Sequence, residues 1–286
     1  MSNPPQTAQR PASRPQPVQG TPTSDTLLVA VVQYEALHAE FVGEAVAVNV
    51  AAHIELVKRA HADGARLVLF PELSLTGYEL TALAAAGSPG RPSPWLAEQD
   101  ARLRPLQEAC ARTKTTVIAG VAWREADFTP RLASLVIGPD GTMRPVFKTH
   151  LHGAERELFV PGSGPGMVMV DGWRIALAIC ADAAHPTHAA AAAAAEADVY
   201  AVSALYTRGE ELRLGLHLGA RSMDHRMFGL LANLGGETPL GTSCGLSGTW
   251  GPDGASAVQV KGVGTEITVA TLERSRLDRY RSTAGE

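Results

Sequence analysis

The unbroken apolar run Leu27-Leu28-Val29-Ala30-Val31-Val32 opens the patterned part of the chain. A run without polar alternation predicts a strand buried on both faces. Val46, Val50, Ile54 and Val57 then recur at spacings of four and three, predicting the apolar face of a helix that ends at Asp63-Gly64. A second buried strand is predicted over 66–70. An amphipathic helix follows over 95–113, turning Leu96, Leu103, Leu106 and Cys110 inward, and then a strand over 116–123. The strand predicted over 133–137 closes in the turn Gly138-Pro139-Asp140-Gly141, and Gly251-Pro252-Asp253-Gly254 closes a later one. Further strands are predicted at 167–170, 174–179, 199–203, 229–232 and 267–270, with a helix near 210–227. About ten strands with intervening helices imply an α/β fold of mixed sheets. No break in composition divides residues 26–286, which are read as one domain. Residues 1–25, rich in Pro, Gln, Ser and Thr and without the apolar segment of a secretory signal, are read as a disordered tail.

Composition narrows the classes of function. Hydrophobic residues make up 45% and charged residues 19%, and no apolar stretch approaches the roughly 20 residues that cross a bilayer. A soluble chain with no membrane partner is expected. The net charge of -4, with no cluster of lysine or arginine, argues against nucleic acid and for a small neutral or polar substrate. Cys110, Cys180 and Cys244 are odd in number and widely separated, so neither a disulfide framework nor a four-cysteine zinc site is indicated, and a reducing cytoplasm is the expected location.

Three segments carry candidate chemistry. In Phe70-Pro71-Glu72 a buried strand delivers a carboxylate to its end, where partial desolvation would raise its pKa toward that of a general base. In Val146-Phe147-Lys148-Thr149-His150-Leu151 a lysine follows two apolar residues and could face a developing oxyanion. In Ile175-Ala176-Leu177-Ala178-Ile179-Cys180-Ala181-Asp182 an apolar strand runs into a cysteine, and an alanine-rich helix follows Pro186, so a strand-turn-helix elbow is expected. Taken singly, a solvated glutamate, a surface lysine and a small buried thiol account for these residues better than chemistry does.

Together and in this order, the three segments resemble the nitrilase-like carbon-nitrogen hydrolases. The resemblance runs from about Leu27 to Leu272 and extends to Asn49, Gly64-Ala65, Leu75-Thr76-Gly77-Tyr78, Glu155, Phe159, Pro161-Gly162, Ala197-Asp198, Ala220-Arg221 and Ala232-Asn233. It implies a four-layer α-β-β-α sandwich of two mixed sheets and assembly into homodimers or larger homo-oligomers. It also implies a catalytic triad of Glu72, Lys148 and Cys180 that works without metal or organic cofactor. By the same resemblance Glu72 takes the thiol proton, Cys180 attacks, Lys148 and the backbone N–H of Ala181 stabilise the oxyanion, and Glu155 is a supporting carboxylate. Tyr78 and Tyr206 are candidates to line the pocket, and Asp182 is read as a structural acceptor in the elbow. The expected activity is hydrolysis of a small carboxamide through a thioester, the alternatives being nitriles and N-carbamoyl compounds.

The sequence departs from the family pattern at Leu132 or Ala133, where asparagine is common, at Ala181, commonly aromatic, and at Thr187, often glutamate. These departures motivate a third reading, a non-catalytic member of the fold. A rival of another class is a zinc site built from Cys180, Asp182, His185 and His188, against which Pro186 interrupts the segment. Gly241-Thr242-Ser243-Cys244-Gly245 matches the serine-hydrolase elbow G-x-S-x-G, but glycines follow it where a helix is required. Gly162-Ser163-Gly164-Pro165-Gly166 is read as a loop and not as a phosphate cradle.

Overall fold

The computed structural model describes residues 24–37, 42–85 and 93–282. The expected tail therefore lies outside the described residues, apart from Ser24 and Asp25. The chain begins with β1 (Thr26–Gln33), α1 (Val42–Ala62) and β2 (Leu67–Leu69), then α2 (Leu80–Ala84), α3 (Arg104–Thr113), β3 (Thr116–Arg124), β4 (Pro130–Ile137) and β5 (Met143–Phe147). A short α4 (Glu155–Leu158) leads to β6 (Gly166–Val170), β7 (Trp173–Ile179), α5 (Ala181–Ala184), α6 (Pro186–Ala194), β8 (Val199–Ala204), α7 (Glu211–His225) and β9 (Phe228–Asn233). A small ribbon of β10 (Glu237–Thr238) and β11 (Gly241–Thr242) precedes β12 (Gly248–Trp250), β13 (Ser256–Gln259), β14 (Glu266–Glu273) and α8 (Arg274–Ser282).

Two six-stranded sheets result, ordered β14-β1-β2-β3-β4-β5 and β13-β12-β9-β8-β7-β6. Parallel pairing joins β1, β2 and β3 in the first sheet and β7, β8 and β9 in the second, while the outer strands run antiparallel. The sheets stack face to face. Leu27, Val29 and Val31 of β1 share one buried cluster with Ile175, Leu177, Val199 and Leu230 of the other sheet. Ala30 and Val32 face the opposite way, into a cluster with Val46, Val50 and Val57 of α1 and Leu106 and Cys110 of α3. The run 27–32 lacks alternation because both faces of β1 are covered. On the far face of the second sheet, Ala176 and Ala178 pack with Ala189 and Ala192 of α6 and Leu214 and Leu218 of α7. This is the four-layer α-β-β-α sandwich. The small side chains of α6 serve a contact with α7 inside the chain.

Several elements differ from the sequence reading. The helix expected over 95–113 begins only at a 3₁₀ turn, Ala101–Leu103, because the Asp100 carboxylate caps it by accepting from Arg102 N at 3.0 Å. Upstream, Leu96 is extended, its N–H donating to Ala122 O at 3.0 Å and its carbonyl accepting from Arg124 N at 2.8 Å. Its burial therefore belongs to a strand-like edge, which apolar spacing alone imitates. Strand β5 was not anticipated, since only Val146 of its residues is buried. Helix α8 was not anticipated either, for it buries only Leu277. Among the described residues, no helix is long and apolar enough to cross a membrane.

Candidate active site

Glu72, Lys148 and Cys180 each follow the carboxyl end of a strand, and the stacking of the sheets brings them together. Beyond β2, Phe70 N–H still pairs with Ile118 O at 2.8 Å, and then Pro71 ends the ladder. The chain turns tightly: Leu73 adopts φ 51°, and Gly77 N donates to Leu73 O at 2.7 Å. This turn lies directly on β3 because Gly120 has no side chain. A Cβ there would sit 2.1 Å from Leu73 N and 2.3 Å from Pro71 O.

A buried histidine that the sequence reading passed over supports the turn. His53 Nδ1 lies 2.8 Å from Asn49 O, which can only accept, so Nδ1 carries the proton and Nε2 accepts from the Ser74 hydroxyl at 3.0 Å. Ser74 Oγ in turn accepts from Gly120 N at 3.2 Å, and the imidazole stacks on Phe70 at 3.9 Å. Burial lowers the His53 pKa to about 3, so the ring is neutral. Asn49, one of the matching landmarks, also accepts from Tyr34 OH at 2.6 Å and Leu37 N at 2.8 Å.

Lys148 follows β5 and is fully buried. Its Nζ donates to Glu72 Oε1 at 2.6 Å and to Glu155 Oε1 at 2.8 Å. Glu155, in the charged run Glu155-Arg156-Glu157, is likewise buried; it also accepts from the Tyr78 hydroxyl, and from His152 N at 2.8 Å. Lys148 N donates to Leu132 O at 2.9 Å, so the departure at Leu132 leaves the backbone contact intact. The Leu132 side chain joins Leu73, Tyr78 and Ile179 in an apolar cluster against which Cys180 packs.

Cys180 follows β7 with φ 47° and ψ -100°, a backbone rarely adopted by a side-chain-bearing residue. Its N–H donates to Ser203 O at 2.8 Å and its thiol to Leu205 O at 3.7 Å. Ala181 then opens α5, and its N–H, first in a helix, has no intrahelical acceptor. Cys180 and Ala181 border a cavity of about 70 Å³ that Tyr78, His152, Tyr206 and His217 also line. The Tyr206 hydroxyl and His217 Nδ1 lie 3.0 Å apart. His152 and His217 were not singled out from sequence, because His217 arrives from α7 and His152 from the loop after Lys148. Two larger clefts, of about 560 and 610 Å³, open elsewhere and include none of Glu72, Lys148 or Cys180.

Charges here are strongly coupled. Burial, reinforced by the Glu155 charge, pushes the Glu72 carboxyl up to about 7 even though Lys148 pulls it down. Burial alone would lower the Lys148 pKa, but Glu72, Cys180 and Glu155 together raise it, so the ammonium stays charged. Burial and the Glu72 charge raise the Cys180 thiol against the pull of Lys148. The resting cysteine is therefore a neutral thiol, which needs a base to become a nucleophile. Among the described residues, Oε2 of Glu72 has no hydrogen-bond partner.

The other motifs resolve differently. Asp182 directs both oxygens to the amides and imidazole of the segments after Lys148 and before Cys180, and His188 Nδ1 engages Tyr200 OH at 2.9 Å. Among the described residues no group of three or more His, Cys, Asp or Glu side chains is arranged to hold a metal ion. Ser243 is buried, donates to Leu234 O and accepts from Gly245 N at 2.9 Å, and the next element after it is strand β12, not a helix. It is a structural hydroxyl in a loop.

The chain matches the Carbon-nitrogen hydrolase family over residues 28–282. It is 26% identical over 224 residues to a protein of Pseudomonas protegens (strain DSM 19095 / LMG 27888 / CFBP 6595 / CHA0) described as "Hydrolase in pqqF 5'region", covering 77% of this chain and 76% of that one. Among solved structures it resembles an amidase from Nesterenkonia sp., with TM-score 0.76 and 23% identity over 94% of this chain and 98% of that one. A mutant of the amidase from Nesterenkonia sp. AN1 shows covalent addition of the acetamide moiety of fluoroacetamide at the active site cysteine. The Saccharomyces cerevisiae protein Nit3, a member of branch 10 of the nitrilase superfamily, aligns with TM-score 0.79 and 19% identity over 92% of this chain and 95% of that one.

Proposed function

The chain belongs to the carbon-nitrogen hydrolase family, and within it we propose an amidase that hydrolyses a small carboxamide through a Cys180 thioester. The observation that carries this reading is the buried Lys148 ammonium, held between Glu72 and Glu155 beside a neutral thiol that faces a small cavity. Glu72, with a pKa near neutrality, accepts the Cys180 proton as sulfur attacks the carbonyl carbon. Lys148 and the Ala181 N–H receive the negative charge that develops on the carbonyl oxygen. When the C–N bond breaks, Glu72 returns the proton to the leaving nitrogen and ammonia departs. Glu72 then takes a proton from water, the hydroxide attacks the thioester carbon, and the carboxylic acid and free thiol are released. Glu155 and Tyr78 hold Lys148 in place without taking part in proton transfer.

The small cavity beside Cys180, about 70 Å³, suits an amide with a short acyl chain. The structurally similar amidase that carries an acetamide moiety on its active site cysteine supports the same class. A panel of short-chain amides, nitriles and N-carbamoyl amino acids, assayed for ammonia with Cys180→Ala as control, tests the proposal. Turnover greatest on short amides and absent from the variant is expected. Wild-type turnover by the variant, or activity confined to nitriles or N-carbamoyl compounds, overturns it.

A further inference from the structure

Lys148 and Cys180 belong to different sheets, since β5 edges the first and β7 lies in the second. Between the sheets most of the contact is the apolar cluster of Leu27, Val29, Ile175 and their neighbours, with few directional bonds such as that from Ser203 Oγ to Phe70 O at 2.8 Å. Hydrophobic burial is non-directional, so it holds two sheets together without fixing their relative position to the fraction of an ångström that chemistry demands. Asp182, 1% exposed, supplies a directional link. Its Oδ1 accepts from His150 N at 2.7 Å and His150 Nδ1 at 2.9 Å. Its Oδ2 accepts from Ile179 N at 3.0 Å and Thr149 N at 3.4 Å. Three of the four donors therefore come from the two residues after Lys148, and the fourth from the residue before Cys180. The His150 ring is held in turn by stacking on His185, with centroids 3.8 Å apart and planes 11° apart.

We propose that Asp182 is a positioning residue that sets the placement of the Lys148 ammonium relative to the Cys180 thiol by clamping both strand ends to one carboxylate. The proposal rests on the Glu72, Lys148 and Cys180 reading of the site and adds a requirement to it. Each oxygen of the clamp receives two donors, so a carboxylate satisfies it and an amide does not. Whichever way an asparagine is turned, its NH₂ group faces at least one backbone N–H, which is left without an acceptor.

Asp182→Asn is accordingly the sharp test, made on the full chain with the best amide of the substrate panel. A fall in kcat of about a hundredfold is expected, with KM changed far less, as for displaced reacting groups. The rate of Cys180 alkylation by iodoacetamide should fall in parallel, while thermal unfolding shows a folded protein. His150→Ala removes one of the four donors and should lower kcat several-fold, and His150→Asn, which restores a donor, should recover it. Should Asp182→Asn fail to fold, the His150 pair decides. The clamp is overturned if Asp182→Asn keeps kcat and alkylation rate within twofold of wild type, or if His150→Asn does no better than His150→Ala. Turnover by Cys180→Ala in the same assays would refute the reading of the site itself, a separate outcome.

Discussion

Lys148 places its ammonium 2.6 Å from the Glu72 carboxylate, with neither side chain exposed to solvent. An ion pair this deep is kept by its geometry and by the second carboxylate at Glu155, and its members cannot be altered independently. Several consequences are measurable.

Replacing Glu72 by glutamine removes the base while preserving shape. We expect kcat/KM to fall by about 10²–10⁴-fold, the range typical of general-base loss, with Cys180 still present to be alkylated. Steady-state kinetics on the best amide checks this.

Because Glu72 must be ionised to accept the thiol proton, kcat/KM of the wild type should rise with pH along a limb centred near 7. Folding stability should respond in the opposite sense. The carboxyl is raised from its ordinary 4.5 to about 7, so between those values the folded chain holds a proton that the unfolded chain has released. This contribution is fully present below pH 4.5 and is lost as pH rises through 7. Denaturant unfolding of wild type and Glu72→Gln across pH 4.5–7 should show the wild type losing ground as pH rises, and a constant difference would count against the raised pKa.

Lys148→Met leaves Glu72 and Glu155 buried without their cation. Breaking a buried pair in this way costs about 3–5 kcal/mol, and activity should vanish with it. The carboxyls can relieve the deficit by protonating, so unfolding midpoints should show a larger loss at pH 8 than at pH 5.

Gly120→Ala probes the seat of the Glu72 turn. Its methyl group would meet backbone atoms of Pro71 and Leu73 at 2.3 and 2.1 Å, and these cannot yield as a flexible side chain could. A stability loss of about 1–3 kcal/mol is expected, with kcat reduced beyond what the unfolded fraction explains. Urea unfolding and kinetics on the same preparation separate the two effects.

Tyr206 walls the cavity beside Cys180, its backbone held by the Asn233 side chain, which accepts from Tyr206 N at 2.7 Å. Tyr206→Ala should enlarge the acyl pocket and raise kcat/KM for longer amides relative to short ones by about tenfold. The ratio measured across a series of chain lengths tests this, and an unchanged ratio would place the acyl group elsewhere.

The layers of the fold were legible because both-face burial writes itself as unbroken apolar runs, at 27–32 and again at 175–179. The order of Glu72, Lys148 and Cys180 was legible because each follows such a run or its neighbour. The helix start at Ala101 was not, since Leu96 is buried by an extended edge whose spacing imitates a helix. Glu155 was legible only through the resemblance, since its charged neighbours suggest solvent and its burial depends on Lys148 and Tyr78 arriving from elsewhere. The His53–Ser74–Gly120 chain and the approach of His217 to Tyr206 join residues far apart in sequence, and no local pattern announces such meetings.

The antiparallel pairing of β1 with β14 matches Thr26 to Glu273 and continues to Gln33 with Glu266. Strand β1 therefore waits for β14, the last strand among the described residues, before one of its edges is paired. Until β14 is made, a nascent chain presents that edge of β1 open, so this sheet is completed late and slowly, in keeping with its long-range connectivity. A truncation that removes β14 would leave the edge open permanently, offering other chains a template for aggregation.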